Sequence, residues 1–301
     1  MRRRDFIKNT SAAGLLGVSG LPISGISLSA KKHITILHTN DVHSHIEPFA
    51  ANDPKYANKG GVARRSSLIN KIRKESPNVL LLDAGDMFQG TPYFNFYGGE
   101  LEFKLMSKLG YDAATIGNHD FDNGIDGLAA QMPHAKFDLL SANYDMSNTI
   151  MDGFTKPYKV FIKEGVRIGV FGLGIQLSGL VNRRMYKETK YLDPIEIATD
   201  ITQTLRKDEQ CDLVICLSHL GYDYPDKTII SDLNLARATS GIDLIIGGHT
   251  HTFLEKPTIA QNKKEEFVLI NQVGWGGIQL GRVDFFLEDA TIASNAVYYN
   301  I

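Results

Sequence analysis

Cysteine, tryptophan and net charge are all scarce in this chain. Its 301 residues include two cysteines and one tryptophan, and 32 basic side chains stand against 34 acidic ones, for a net charge of −2. Two cysteines exclude a disulfide-built scaffold. Cys211 and Cys216 flank the apolar run Asp212-Leu213-Val214-Ile215 and read as buried core thiols on one strand, poorly placed to bridge each other. The near-zero charge points to no nucleic-acid polymer or membrane surface as partner, so any phosphate chemistry must be local. There is no internal repeat and no long Pro/Gly/Ser linker.

What is present begins with a processing signal. Residues 1–30 open on Arg2-Arg3-Arg4-Asp5-Phe6-Ile7-Lys8, continue through a mildly apolar run from Thr10 to Leu28, and end in Ser29-Ala30 before Lys31-Lys32. A basic start, a short apolar middle and small residues at a polar boundary make an export signal, and Arg-Arg-x-Phe-Ile-Lys resembles the twin-arginine type. The run is too short and too rich in glycine and serine for a transmembrane helix. The expectation is a protein exported to the periplasm or beyond, with one domain over residues 31–301.

From Lys32 onward, short apolar runs alternate with amphipathic ones, which predicts an α/β domain. Strands are expected at His33 to His38, Asn78 to Asp83, Ala113 to Ile116, Leu139 to Asn143, Val166 to Leu173, Leu213 to Ser218, Leu244 to Ile246, Phe267 to Gln272 and Arg282 to Leu287. Helices are expected at Val62 to Glu75, Glu100 to Leu109, Gly124 to Gln131, Pro194 to Asp208 and Thr228 to Ala238.

Five of these apolar strands end in metal-ligand residue types. After Ile34-Thr35-Ile36-Leu37-His38 come Asp41 and His43, two apart, on one side if the segment is extended. Val79-Leu80-Leu81-Leu82 leads to Asp83-Ala84-Gly85-Asp86, where glycine lets Asp86 project over the strand end. Ala113-Ala114-Thr115-Ile116 stops at Gly117 and gives Asn118-His119-Asp120-Phe121-Asp122. His219 closes a fourth run, and Gly247-Gly248-His249-Thr250-His251 closes a fifth. Side chains at the carboxyl ends of neighbouring strands share one crevice. Asp41, His43, Asp86, Asn118, His219, His249 and His251 are too many donors for one divalent ion and suit two, with one carboxylate shared.

This ordered set, Asp-x-His, Gly-Asp, Gly-Asn-His-Asp, His and Gly-His-x-His, resembles the calcineurin-like metallophosphoesterases. Leu37-His38-Thr39-Asn40-Asp41, Gly60-Gly61-Val62-Ala63-Arg64-Arg65, Asn118-His119-Asp120-Phe121-Asp122 and Gly276-Gly277-Ile278-Gln279-Leu280-Gly281 are similar to the 5'-nucleotidase and UDP-sugar hydrolase branch. The resemblance covers about Ile34 to Leu287. It implies a four-layer α/β/β/α sandwich with two mixed sheets. By matched motif, Asp41, His43, Asp86 and His251 would hold one metal and Asp86, Asn118, His219 and His249 the other. The metals could be manganese, zinc, iron or cobalt.

His119 lies outside the ligand set and is assigned to stabilising the transition state or protonating the leaving oxygen, and the resemblance implies Asp122 as the partner that orients it. Asp120 is left with the least part in the chemistry. The implied reaction is hydrolysis of nucleotides or related small phosphoesters by a metal-activated hydroxide. Full-length members of the branch carry a C-terminal base-recognition domain not seen before Ile301, so a separate polypeptide could supply it. A non-catalytic, metal-stabilised subunit and a thiosulfonate-ester hydrolase are the alternatives. Arg64 and Arg65 are open to touching phosphate or to capping and solvating a helix, the second being preferred, and Phe94, Phe96 and Tyr97 read mainly as core. His38 is expected beneath the site. Trp275, beside the late glycine-rich turn, is open to lining the cleft or to ordinary packing.

Overall fold

The computed structural model describes residues 31–288 and 291–301; the expected export signal over residues 1–30 lies outside them. Two large sheets form the interior. The first runs in the order Thr291–Asn300, Gln279–Glu288, Lys32–Thr39, Val79–Asp83, Ala113–Ala114, Asp138–Leu140, Thr155–Lys156. Its members from Lys32–Thr39 onward are parallel, and the two chain-terminal strands pair antiparallel at one edge. The second runs Thr258–Gln261, Phe267–Asn271, Leu244–Gly247, Leu213–His219, Val166–Gly174, Tyr158–Lys163, with a parallel centre and antiparallel edges.

Three apolar clusters show how the layers stack. Ile34, Ile36, Leu80 and Leu82 from the first sheet meet Ile168, Val170, Ile215, Leu217 and Ile246 from the second, so the sheets pack face to face. The far face of the first sheet offers Leu37, Leu81 and Ala114 to Ile69, Phe103, Met106 and Leu128 of the helices Val62–Glu75, Glu100–Leu109 and Gly124–Gln131. The far face of the second sheet offers Phe171, Val214, Cys216 and Ile245 to Ala198, Leu235 and Ala236 of the helices Pro194–Gln203 and Asp232–Ala238. Helix, sheet, sheet and helix make four layers. Strands buried on both faces read as unbroken apolar runs rather than alternating ones, and Leu80, Leu81 and Leu82 are all fully buried.

Differences from the sequence reading have local causes. The last long helix begins at Asp232 rather than Thr228, because Ser231 accepts from the Asn234 N–H and closes a capping box. Pro194–Gln203 continues through Thr204–Asp208 as one wide turn. A helix over Pro92–Tyr97, started by the Thr91 side chain and by proline in the first turn, was not expected; it leaves Phe96 85% and Tyr97 55% exposed, so the core reading fails for both and holds for Phe94. Tyr158–Lys163, Thr258–Gln261 and Thr291–Asn300 were missed. They are edge strands whose residues are mostly half-buried or exposed, so they carry no strong apolar period.

Candidate metal centre

The seven candidate ligands come together at the carboxyl ends of the parallel strands, four from the first sheet and three from the second. Asp41, His43 and His251 form one group of donor atoms within 4.8 Å of one another; Asp86, His219 and His249 form the other. Asp86 Oδ2 lies 3.0 Å from His219 Nε2 and 3.8 Å from His43 Nε2, between the two groups. Asn118 Oδ1 lies 2.7 Å from His249 Nδ1, which places the amide with the second group.

The backbone that delivers these side chains is not the extended one expected. Asp41, His43, Asp86, His249 and His251 all have positive φ, between 48° and 71°. Asp41 and His43 therefore converge through left-handed turns, not by strand alternation. Non-glycine residues held there cost of order 1 kcal/mol each and persist only where surrounding bonds over-determine them. Those bonds are present. Asp41 and His43 N–H groups donate to the Gly85 and Asp86 carbonyls at 2.9 and 3.0 Å, tying the first strand's loop to the second's. Gly85 and Gly117 make the approach possible: a Cβ on Gly85 would stand 2.7 Å from Gly117 N, and one on Gly117 would stand 2.1 Å from Asp86 Oδ1.

Hydrogen bonds fix which face each imidazole shows. His219 Nδ1 donates to the Ala84 carbonyl at 2.7 Å, leaving the fully buried Nε2 turned toward Asp86 Oδ2 at 3.0 Å. His43 Nδ1 faces the Phe88 carbonyl at 3.2 Å, and its Nε2 meets His251 Nε2 at 2.9 Å. Two imidazole lone pairs this close need a cation or a proton between them. The charges say the same. Burial alone would push His219 down, but the Asp86 and Asp41 carboxylates outweigh it and raise it to about 10. Burial would raise Asp86, yet His219, His43 and His119 hold it well below the usual carboxylate range. His249, desolvated and facing His219, is lowered to about 4. Two buried carboxylates and four neighbouring imidazoles thus demand positive charge, and divalent cations fit this donor set.

His119 stands outside both groups. Its Nδ1 faces Asp122 Oδ2 at 3.0 Å, its ring is 5.3 Å from that of His43, and it is a third exposed. The Asp122 carboxylate raises its pKa, more than burial lowers it.

The family profile of the calcineurin-like phosphoesterases matches residues 34–253. The chain belongs to this family. It is 33% identical over 288 residues to the trifunctional nucleotide phosphoesterase protein YfkN of Bacillus subtilis, covering 85% of this chain and 18% of that one. It is 38% identical over 234 residues to 5'-nucleotidase from Rattus norvegicus, covering 73% of this chain and 38% of the relative. The crystal structure of a 5'-nucleotidase precursor from Thermus thermophilus superposes with a TM-score of 0.79 at 34% identity, covering 89% of this chain and 55% of that one. The chain thus spans well under half the length of the two curated relatives.

Within this calcineurin-like phosphoesterase, several residues that support the centre were not singled out from sequence. Asp120, which looked idle, is fully buried, and its carboxylate accepts the N–H groups of Asp86, Met87, Phe88 and Gly117 at 2.8–3.1 Å. It holds the two loops that present Asp86 and Asn118. Asn40 Nδ2 donates to Asp41 Oδ2 at 2.7 Å, and Gln272 Nε2 donates to the Gly248 carbonyl at 2.7 Å. Gln89 puts its amide nitrogen 3.2 Å from both ring nitrogens of His119. Single amides carry no periodic signal; only their place beside Asp41 or after Phe267–Asn271 could have marked them.

Arg65 is 4% exposed, beside a small cavity also lined by Asp83, Glu102 and Tyr111, so it does not solvate the helix. Arg64 is exposed and donates to the Asn58 carbonyl. His38 is fully buried beneath the centre, lowered to about 3 by desolvation. Cys211 and Cys216 are free and buried.

Proposed function

We propose that the chain hydrolyses nucleotides or related small phosphoesters at a binuclear metal centre, in the manner of a 5'-nucleotidase. The observation that carries the reading is the position of Asp86 between two complete donor groups, with the His119–Asp122 pair beside them. Asp41, His43, Asp86 and His251 would hold one divalent ion, and Asp86, Asn118, His219 and His249 the other. Two such ions supply Lewis acidity and a water acidified to act as nucleophile near neutral pH.

The remaining work falls to the chain. His219 and His43 are locked in orientation by the Ala84 and Phe88 carbonyls, so their Nε2 lone pairs stay aimed at the centre. Asp122 holds a proton on His119 Nδ1, which leaves Nε2–H to donate to the leaving oxygen and to neutralise charge on the phosphoryl group. A purely structural site has no use for that pair.

The test is the protein loaded with manganese, zinc, iron or cobalt and offered p-nitrophenyl phosphate, bis-p-nitrophenyl phosphate, nucleoside monophosphates and thiosulfonates. Hydrolysis of the nucleotides is expected; two bound ions with no phosphoester turnover would leave the non-catalytic subunit as the reading. Adding a polypeptide that carries a base-recognition domain should sharpen the ranking among nucleotides, and an unchanged ranking removes that partner. Among the described residues no helix is long and apolar enough to cross a membrane. The export reading rests on Arg3-Arg4-Asp5-Phe6-Ile7-Lys8 and the run behind it, tested by fusing residues 1–30 to a reporter with and without Arg3→Lys and Arg4→Lys.

A further inference from the structure

Of the seven candidate ligands, His251 is the most weakly restrained by its surroundings. Its side chain is 40% exposed, whereas Asp41 and His43 in the same group are buried. No carbonyl or carboxylate among the described residues fixes its second ring nitrogen in the way Ala84 fixes His219. What it has instead is an indole. The Trp275 and His251 rings lie 5.6 Å apart and 8° from parallel.

That indole is itself held on several sides. His45, Phe49 and Tyr56 meet it edge-on, with centroids at 5.1, 5.5 and 5.9 Å and planes at 82°, 76° and 75°. Its flanking residues are glycines with positive φ. A Cβ on Gly274 would stand 2.1 Å from the Phe253 ring, and one on Gly276 would stand 2.8 Å from the Phe49 ring. Gly276 N also donates to the Asp41 carbonyl at 2.7 Å, which ties the indole's segment to the other end of the same ligand group.

We propose that Trp275 is a positioning residue for His251. The aromatic cage of His45, Phe49 and Tyr56 fixes the indole, and the indole fixes the plane of the imidazole. Within one donor group, therefore, His251 is set by an aromatic stack where His43 is set by the Phe88 carbonyl. The face of the ring that parallels His251 is committed to that imidazole and is not a platform for a substrate base. Because Trp275 is the one tryptophan in the chain, occupancy of this donor group is readable in its emission, excited where tyrosine does not absorb.

The inference rests on the metal-centre reading, and the experiment separates the two. Metal-stripped protein is titrated with cobalt(II), a quencher, while bound cobalt is counted directly. Wild type should bind two ions, with emission changing in one of the two steps. His251→Ala should lose that step and His249→Ala should keep it. Trp275→Leu should weaken one ion about tenfold to a hundredfold, the usual cost of losing a partner that orients a ligand, and leave the other unchanged. Trp275→Phe, which retains a ring to stack, should recover most of the loss. If Trp275→Leu binds both ions as wild type does, or if binding leaves wild-type emission untouched, the positioning role is wrong while the metal centre stands. If wild type binds no ion, both readings fall. Should Trp275→Leu not fold, the emission steps of wild type, His251→Ala and His249→Ala still decide.

Discussion

The two sheets contribute unlike chemistry to the same rim. The first supplies both carboxylates, His43, the Asn118 amide and the His119–Asp122 pair; the second supplies His219, His249 and His251 and no acidic ligand. Each donor group draws on both sheets, so neither sheet holds a site by itself. Both carboxylates sit on one side of the interface and three of the four ligand imidazoles on the other, and cations are the natural link between them. Asp86 is where the asymmetry is greatest: its Oδ2 lies 3.0 Å from His219 Nε2 and 3.8 Å from His43 Nε2, whereas Asp41 Oδ1 stays 3.9 Å from His219 Nε2.

Asp86→Ala is therefore expected to produce the largest effect, with loss of both ions and a fall in kcat of about 10³-fold or more, the scale seen when residues that act as a unit lose a central member. His251→Ala on the second sheet should release one ion. Metal counting alongside the substrate panel checks the contrast; equal losses from the two variants would show that the sheets share the load evenly.

His119→Ala separates charge placement from metal holding within the first sheet. It should lower kcat by roughly 10²- to 10⁴-fold, the range for a positioned acid, while metal content stays at the wild-type value. A variant that loses metal and activity together would move His119 into the ligand set.

The same asymmetry explains what could be read in the sequence. The first sheet's strands announced themselves because Val79-Leu80-Leu81-Leu82 is buried on both faces, and their ends were marked by glycine followed by Asp86 or Asn118. Five such ends made the centre legible without coordinates. The left-handed turns at Asp41 and His43 were not, because φ is set by the Gly85 and Asp86 carbonyls, which are remote in sequence. The scaffold role of Asp120 was hidden for a similar reason: its worth lies in four backbone N–H groups, and backbone donors leave no mark on residue identity. The edge strand Thr291–Asn300 was missed because it buries too little to impose a period.

Backbone geometry gives the next effect in size. Gly85 and Gly153 share a positive φ, +87° and +78°, but a Cβ on Gly85 meets Gly117 N at 2.7 Å and His219 Nδ1 at 2.9 Å, while one on Gly153 meets nothing within 4 Å. Gly153→Ala should cost about 1 kcal/mol, the left-handed penalty alone. Gly85→Ala should cost more, about 2–4 kcal/mol, because two loops must also move apart. Denaturant midpoints of the metal-free proteins measure the difference, and equal shifts would mean that the loops give way freely.

The smallest effect is expected far from the rim, at Asp284 on the first sheet. Its carboxylate accepts from Thr35 Oγ1 at 2.7 Å and Arg282 Nε at 2.7 Å and faces His33 Nε2 at 2.7 Å. Burial would raise its pKa, but these partners outweigh it and hold it below its ordinary 3.8. A depressed carboxylate stabilises the fold above 3.8 and loses that contribution as pH falls through its lower, folded value. Asp284→Asn should therefore lower Tm by a few degrees at pH 7 and shrink the difference from wild type below pH 3.8. The amide keeps the shape but not the charge, so a gap that is the same at every pH would assign the loss to packing against Thr35 and not to the ion pair with Arg282.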